Sequence, residues 1–190
     1  MAKFQVPDDV SVSAFFKEYV PSQFEEMTAG ADLSALKGKE LTLQYDVDGQ
    51  KYCLKITDGK SLDVIEGGVD KPLMHLAIDE RNWRDAVTGK LQGVIDRFTD
   101  PVEIADVARL NTLMATKGAL TVDLKTADGK GFPINMVFNG EEKPAVTINL
   151  DLNDWIAMQN KETTGQALFM SGKLKFTGDM VFLMKLQSLI

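Results

Sequence analysis

Few side chains in this sequence could carry chemistry, and their spacing narrows the choice further. A single His (His75) and a single Cys (Cys53) exclude a multi-His metal site, a Cys-cluster zinc site, an internal disulfide framework and paired histidines sharing acid–base work. Cys53 stands beside Lys55 on the polar side of an alternating stretch, with no His in its motif. His75 alternates with Leu73 and Ala77, which reads as a structural or solvent-facing position. Asp79 and Asp151 have the right chemistry for a general acid or base, but each stands before a Trp-bearing helical segment and suits an N-cap. Gly59-Lys60-Ser61 resembles the end of a phosphate-binding loop, yet Leu54 occupies the position that needs glycine. Gly172-Lys173 fails because Leu174 follows. Asp46, Asp48 and Gly49 carry calcium-type residues at the wrong spacing for an EF-hand loop and read as a hairpin turn. The residues therefore predict no catalytic group, no metal and no cofactor.

Composition points the same way. The 190 residues include 21 Lys+Arg and 28 Asp+Glu, for a net charge of −7. An acidic chain without a basic block is poorly matched to a phosphate backbone, so no nucleic-acid partner is expected. With 44% apolar residues the chain can bury a core without staples. The start lacks the apolar stretch of a signal peptide, and nowhere do 18 residues run apolar and uncharged. These features predict a cytoplasmic protein without stable membrane insertion.

The elements that would position a site are organised by an internal repeat. Residues 71–83 and 143–155 align at an offset of 72, sharing Lys, Pro, Asp and Trp; both tryptophans, Trp83 and Trp155, fall at the same place. Upstream, Asp48-Gly49 matches Asp128-Gly129, and Asp58-Gly59 matches Asn139-Gly140. Between its second turn and its Lys-Pro, the first half carries 60–70 where the second carries only 141–142. Thr88-Gly89 and Thr164-Gly165 continue the series. The pattern predicts a single compact domain over 1–190, built of a first half (1–110) and a second half (111–190).

Each half reads strand, turn, strand, turn, strand, helix. Leu41, Leu43, Tyr45 and Val47 share one face, as do Leu120, Val122 and Leu124, then Ile134, Met136 and Phe138, then Val146, Ile148 and Leu150. One-sided strands joined by Asp-Gly or Asn-Gly turns imply an antiparallel or mixed sheet with one wet face and one face covered by helices, an α+β fold. Helix starts are predicted at Asp79, Asp100-Pro101, Asp151 and Asp179, the second helix ending at Gly118 and the last running over 180–190. Near the N-terminus, 11–19 and 22–36 read as helices broken by Pro21.

The apolar residues are unevenly spread. Residues 131–190 hold ten of the nineteen Phe and Met. In 180–190 only Lys185, Gln187 and Ser188 are polar, so that helix must be buried nearly all round or share its contact with a ligand. Alternation and helical spacing nominate Trp155, Met158, Met136, Phe138 and Ile148 as residues facing such a ligand.

The stretch Gln166-Ala167-Leu168-Phe169-Met170-Ser171-Gly172-Lys173-Leu174-Lys175-Phe176-Thr177-Gly178-Asp179-Met180, followed by Met184-Lys185-Leu186-Gln187, closely resembles the end of the sterol carrier protein type-two (nonspecific lipid-transfer) domain. The Lys143-Pro144 strand leading to Trp155 and Thr164-Gly165 resembles the same family, and Phe15 to Phe24 resembles the opening of its bacterial members. The first half keeps Thr88-Gly89 but has 93–110 where the second carries Gly-Lys-Leu-Lys. The resemblance implies a five-stranded sheet, helices on one face, and between them an apolar tunnel for fatty acid, fatty acyl-CoA, sterol or phospholipid. Carried over by position, it implies that Phe169, Met170, Met180, Leu183 and Met184 line the tunnel. Read on their own chemistry, Lys173, Lys175 and Lys185 either meet an anionic head group or form a solvated face. Lipid binding or carriage without catalysis is the expected function; an enzyme acting on acyl thioesters, or a partner-binding module with a packed core, is the alternative.

Overall fold

The computed structural model describes residues 6–90, 106–186 and 189. Residues 91–105, with the expected Asp100-Pro101 helix start and most of the 93–110 stretch, lie outside the described residues. The first helix, α1, consists of consecutive segments Val12–Ala14, Phe15–Tyr19 and Val20–Thr28, the middle one a π-helical turn. There the Val20 N–H reaches back five residues to the Phe15 carbonyl. This wider turn accommodates Pro21, so the proline does not break the helix as expected. The expected second helix over 22–36 ends instead at Thr28, and only Ser34–Leu36 form a 3-10 turn beyond it.

Eight strands follow: β1 Glu40–Val47, β2 Gln50–Thr57, β3 Ser61–Glu66, β4 Met74–Ile78, β5 Gly118–Lys125, β6 Gly131–Phe138, β7 Ala145–Asp151 and β8 Lys175–Gly178. Interspersed are α2 Glu80–Val87, α3 Val107–Ala115, α4 Leu152–Gln159, α5 Gly165–Met170 and α6 Met180–Lys185. All strands belong to one mixed sheet, ordered β3-β2-β1-β4-β6-β5-β7-β8. The family resemblance implied five strands. The larger number arises because both halves contribute to one sheet, and β3 lies in the 60–70 stretch that has no counterpart in the second half.

Within each half the pairing scheme is the same. β1 is antiparallel to β2 and parallel to β4; β5 is antiparallel to β6 and parallel to β7. β4 and β7 each lead into a Trp-bearing helix, α2 and α4. The halves meet at β4 and β6, which pair antiparallel from Met74↔Phe138 to Ala77↔Asn135. Turns Asp48-Gly49, Asp58-Gly59 and Asn139-Gly140 have positive φ at both residues, the condition for the tight hairpin turns the dipeptides predict.

The alternation holds in full on the helix-covered face. Leu41, Leu43, Val47, Leu76, Leu120, Val122, Ile134, Met136, Phe138, Val146 and Ile148 are all buried. The opposite face is partly covered too. Thr42 and Gln44 accept hydrogen bonds from the backbone N–H groups of Leu73 and Val69, which hold the 67–73 loop over β1 and bury Gln44; its neighbour in register on β2, Cys53, is also buried. Of the helix predictions, Asp79 and Asp179 cap as expected, accepting from the N–H groups of Asn82 and Phe182. Asp151 occupies the N-cap position without a side-chain bond. α3 ends at Ala115, short of Gly118, because Gly118 opens β5. α6 ends at Lys185, not at 190, and Leu186 caps it.

Candidate functional site

The reactive side chains are kept apart by the fold. Cys53, Gln44 and His75 lie in one row across β2, β1 and β4. Two strand spacings of about 4.8 Å put Cys53 and His75 beyond hydrogen-bond reach, with the Gln44 carbonyl oxygen already accepting from Val69. Burial pushes the Cys53 thiol up to about 11, so it stays protonated and poorly nucleophilic at neutral pH. Burial also lowers the His75 pKa, against the opposing pull of Asp46, whose carboxylate oxygen lies 3.9 Å from Nε2. Asp46 and Asp48 serve the backbone, accepting from the N–H groups of Gly49 and Glu80. Among the described residues, no group of three or more His, Cys, Asp or Glu side chains could hold a metal ion.

The C-terminal elements present a different chemistry. α4 follows directly from β7 and lays Leu152, Trp155 and Met158 on β5 and β7. Its end is closed by Lys161 at φ 62°, which lets the Glu162 N–H reach the Ala157 carbonyl. Thr164 starts α5 by accepting from the Ala167 N–H at 3.1 Å. α5 buries Leu168 but exposes Phe169 and Met170. Gly172, at φ 75°, then turns the chain into β8, where Phe176 pairs with Ile148 and its ring lies 5.7 Å from that of Phe169.

Two glycines allow the next element to close down on the sheet. A Cβ at Gly178 would collide with the Ala145 carbonyl. A Cβ at Gly118 would meet the Pro144 carbonyl and lie 2.7 Å from the Phe182 ring. α6 therefore seats Phe182 directly over Gly118, beside Phe138, its partner in register. Leu186 and Leu189 are buried beyond it, and the Arg109 guanidinium donates to the Leu189 carbonyl at 2.9 Å.

The residues nominated from sequence separate into two groups. Met136, Phe138, Ile148, Trp155 and Met158 are buried, the most accessible only 7% exposed. Phe169, Met170, Met180 and Met184 are exposed, from 45% to 78%. Leu183 lies between, partly buried against the core. Around α6, Phe182, Leu183 and Leu186 face the sheet while Met180, Val181 and Met184 face outward. Sequence reading did not single out Phe182, Leu186 or Val181. The signal for the first two was their i, i+4 spacing, which defines the seated side of the helix. Of the three lysines, Lys173 is bound to Asp154 at 2.8 Å, which raises its pKa, while Lys175 and Lys185 are exposed.

No helix among the described residues is long and apolar enough to cross a membrane. In comparisons with known proteins, residues 102–190 match the sequence profile of the SCP-2 sterol transfer family. Human sterol carrier protein 2 is 37% identical over 68 residues, a match spanning 36% of this chain and 12% of that protein. Among solved structures, sterol carrier protein 2 like 2 from Aedes aegypti is similar at 25% identity and a TM-score of 0.33, covering 39% of this chain and 74% of its own. The sterol carrier protein domain 2 of Helicoverpa armigera is similar at 21% identity and a TM-score of 0.36, covering 53% and 80%. The C-terminal part of this chain, residues 102–190, is thus similar in sequence to the SCP-2 sterol transfer family, and the matched segment spans only about an eighth of the human relative's length.

Proposed function

We propose that this protein binds and carries lipids, without catalysing a reaction, in an apolar tunnel between α4–α6 and the sheet. The observation that carries this reading is the apolar path from the buried Ile148 through its register partner Phe176 to the exposed Phe169 ring, with Met170, Met180 and Met184 also exposed on α5 and α6. Exposed apolar residues concentrated in two short helices mark a site of contact, not a random surface. Leu183 stands at the boundary between the two groups, where a ligand chain would pass from water to the interior. Met136, Phe138 and Ile148 form the floor on this reading, and the Met side chains adapt to tails of different shape.

Fatty acid, fatty acyl-CoA, sterol and phospholipid all fit such a site. Burying a 16-carbon chain contributes roughly 12 kcal/mol at about 0.8 kcal/mol per CH₂. Association costs on the order of 4–15 kcal/mol oppose it, which leaves weakly selective micromolar binding. The two halves act as one unit in this proposal, a duplicated first half supporting a second half that holds the site, in the cytoplasm. Native mass spectrometry of gently purified protein is the test: lipid-sized adducts are expected. A delipidated sample that binds neither a fluorescent fatty acid nor an acyl-CoA at micromolar concentration would overturn the reading.

A further inference from the structure

Buried polar groups in a folded protein nearly always find a partner, and each exception calls for an explanation. Three such atoms lie on one helix of the site: the Trp155 indole Nε1 and both the Nε2 and Oε1 atoms of Gln159 are buried with no hydrogen-bond partner. Trp155 and Gln159 are separated by one turn of α4, so their side chains project from the same face. Trp155 is fully buried, and Met158, between them in sequence, belongs to the same core.

The donor and acceptor set is specific. An indole offers only a donor, and a carboxamide offers two donors and an acceptor. A hydroxyl group satisfies both, donating to Gln159 Oε1 while accepting from the Trp155 N–H. A carboxylate or phosphate can only accept, leaves Oε1 unmatched and brings a charge into a water-poor place. The cation held against α4, Lys173, is committed to Asp154. An ether or a bare hydrocarbon leaves Oε1 without a donor.

The first half supplies an internal contrast. The Trp83 Nε1 is likewise buried and unpartnered, but one turn further along α2 stands Val87, which has no polar atom to complete a site. The Trp83 ring is held edge-on by Phe15 at 5.4 Å, with the Arg84 guanidinium 5.6 Å above it.

We propose that Trp155 and Gln159 together anchor the hydroxyl group of an uncharged lipid, such as a long-chain alcohol or a sterol. The anchor rests on the lipid-carrying reading above and adds a specificity-determining pair to it. Its apolar body would lie along Met158 and the C-terminal helices.

The test compares each hydroxyl lipid with its own methyl ether on the delipidated protein. A fluorescent sterol and a pyrene-labelled long-chain alcohol, each with its ether, are titrated by fluorescence. One lost buried hydrogen bond corresponds to about tenfold in affinity, so the hydroxyl form is expected to bind about tenfold tighter in at least one series. That series identifies whether the alcohol or the sterol is the source of the hydroxyl. Gln159→Met, of similar size, should bring the two forms within about twofold, and Trp155→Phe should weaken the preference in the same direction. Equal binding of hydroxyl and ether forms by the unaltered protein would overturn the anchor while leaving lipid carriage standing. Binding of neither form, together with failure of the fatty-acid titration, would overturn both.

Discussion

The Phe182 ring occupies the space above Gly118 so closely that a Cβ on the glycine would lie 2.7 Å from it. This single contact fixes where α6 meets the sheet, because Phe182 and Leu186 are the side chains that α6 and its cap bury most deeply. Gly118 also adopts φ +133°, a conformation that side chains rarely tolerate. Gly118→Ala is therefore expected to destabilise the fold by about 1–3 kcal/mol through overpacking and to lift α6. Urea unfolding reads the first effect. Lipid titration reads the second, as weakened uptake.

Exposure separates function from stability at Met184. It is 62% exposed, so Met184→Asn should change unfolding free energy by no more than about 0.5 kcal/mol. If a ligand covers that side chain, the same change removes about 1.5–3 kcal/mol of apolar contact, roughly 10- to 100-fold in affinity. A variant that binds a fluorescent fatty acid as tightly as the unaltered protein would remove Met184 from the entrance.

Leu183 is the complementary case, half seated against the core. Leu183→Trp should block uptake with little loss of stability if a tunnel runs beside it. In a fully packed interior the larger ring would instead cost about 1–3 kcal/mol. Thermal unfolding and ligand titration on one preparation separate the two outcomes.

The two tryptophans are equivalent as core residues, Trp83 1% and Trp155 0% exposed. Truncation to Ala at either position is expected to cost about 3–5 kcal/mol. Bound lipid should restore stability in Trp83→Ala by ligand linkage, and should restore much less in Trp155→Ala if, as proposed, Trp155 forms part of the binding wall. Unfolding curves with and without lipid provide the measurement.

His75 predicts a pH dependence of defined sign. Burial lowers its pKa below the ordinary 6.5, so the unfolded chain takes up a proton more readily than the folded one. Stability is unaffected by this group well above pH 6.5 and falls as pH drops from there through the lower folded value. His75→Gln should flatten that part of the stability curve between neutral and mildly acidic pH, as followed by denaturant midpoints.

Much of the architecture was legible in the residues. Alternation at Leu41, Leu120, Ile134 and Val146 placed the sheet's buried face, and Asp79 and Asp179 announced their helices, because both signals are local. Three features were not local. Pro21 reads as a break because nothing nearby in sequence reveals the π-helical turn that absorbs it. β3 has no counterpart in the second half, and Leu62 and Val64 are only partly buried, so its alternation is muted. The outward orientation of Met170, Met180 and Met184 was hidden by their chemistry, since apolar side chains are ordinarily read as interior. Trp155 and Gln159 stood one turn apart in plain view, but only the burial of their unpaired atoms gives the spacing meaning.

The pairing of β4 with β6 is a seam: four register pairs are the whole of the ladder between the two halves among the described strands. β6 is an interior strand only because β4 flanks it. A fragment beginning after the first half would present β6 as a raw edge, with Phe132, Ile134, Met136 and Phe138 along one side of it. Unpaired apolar edges recruit other strands, so that fragment should self-associate until the missing half is supplied in trans. On this reading β4 serves as a permanent edge guard for β6.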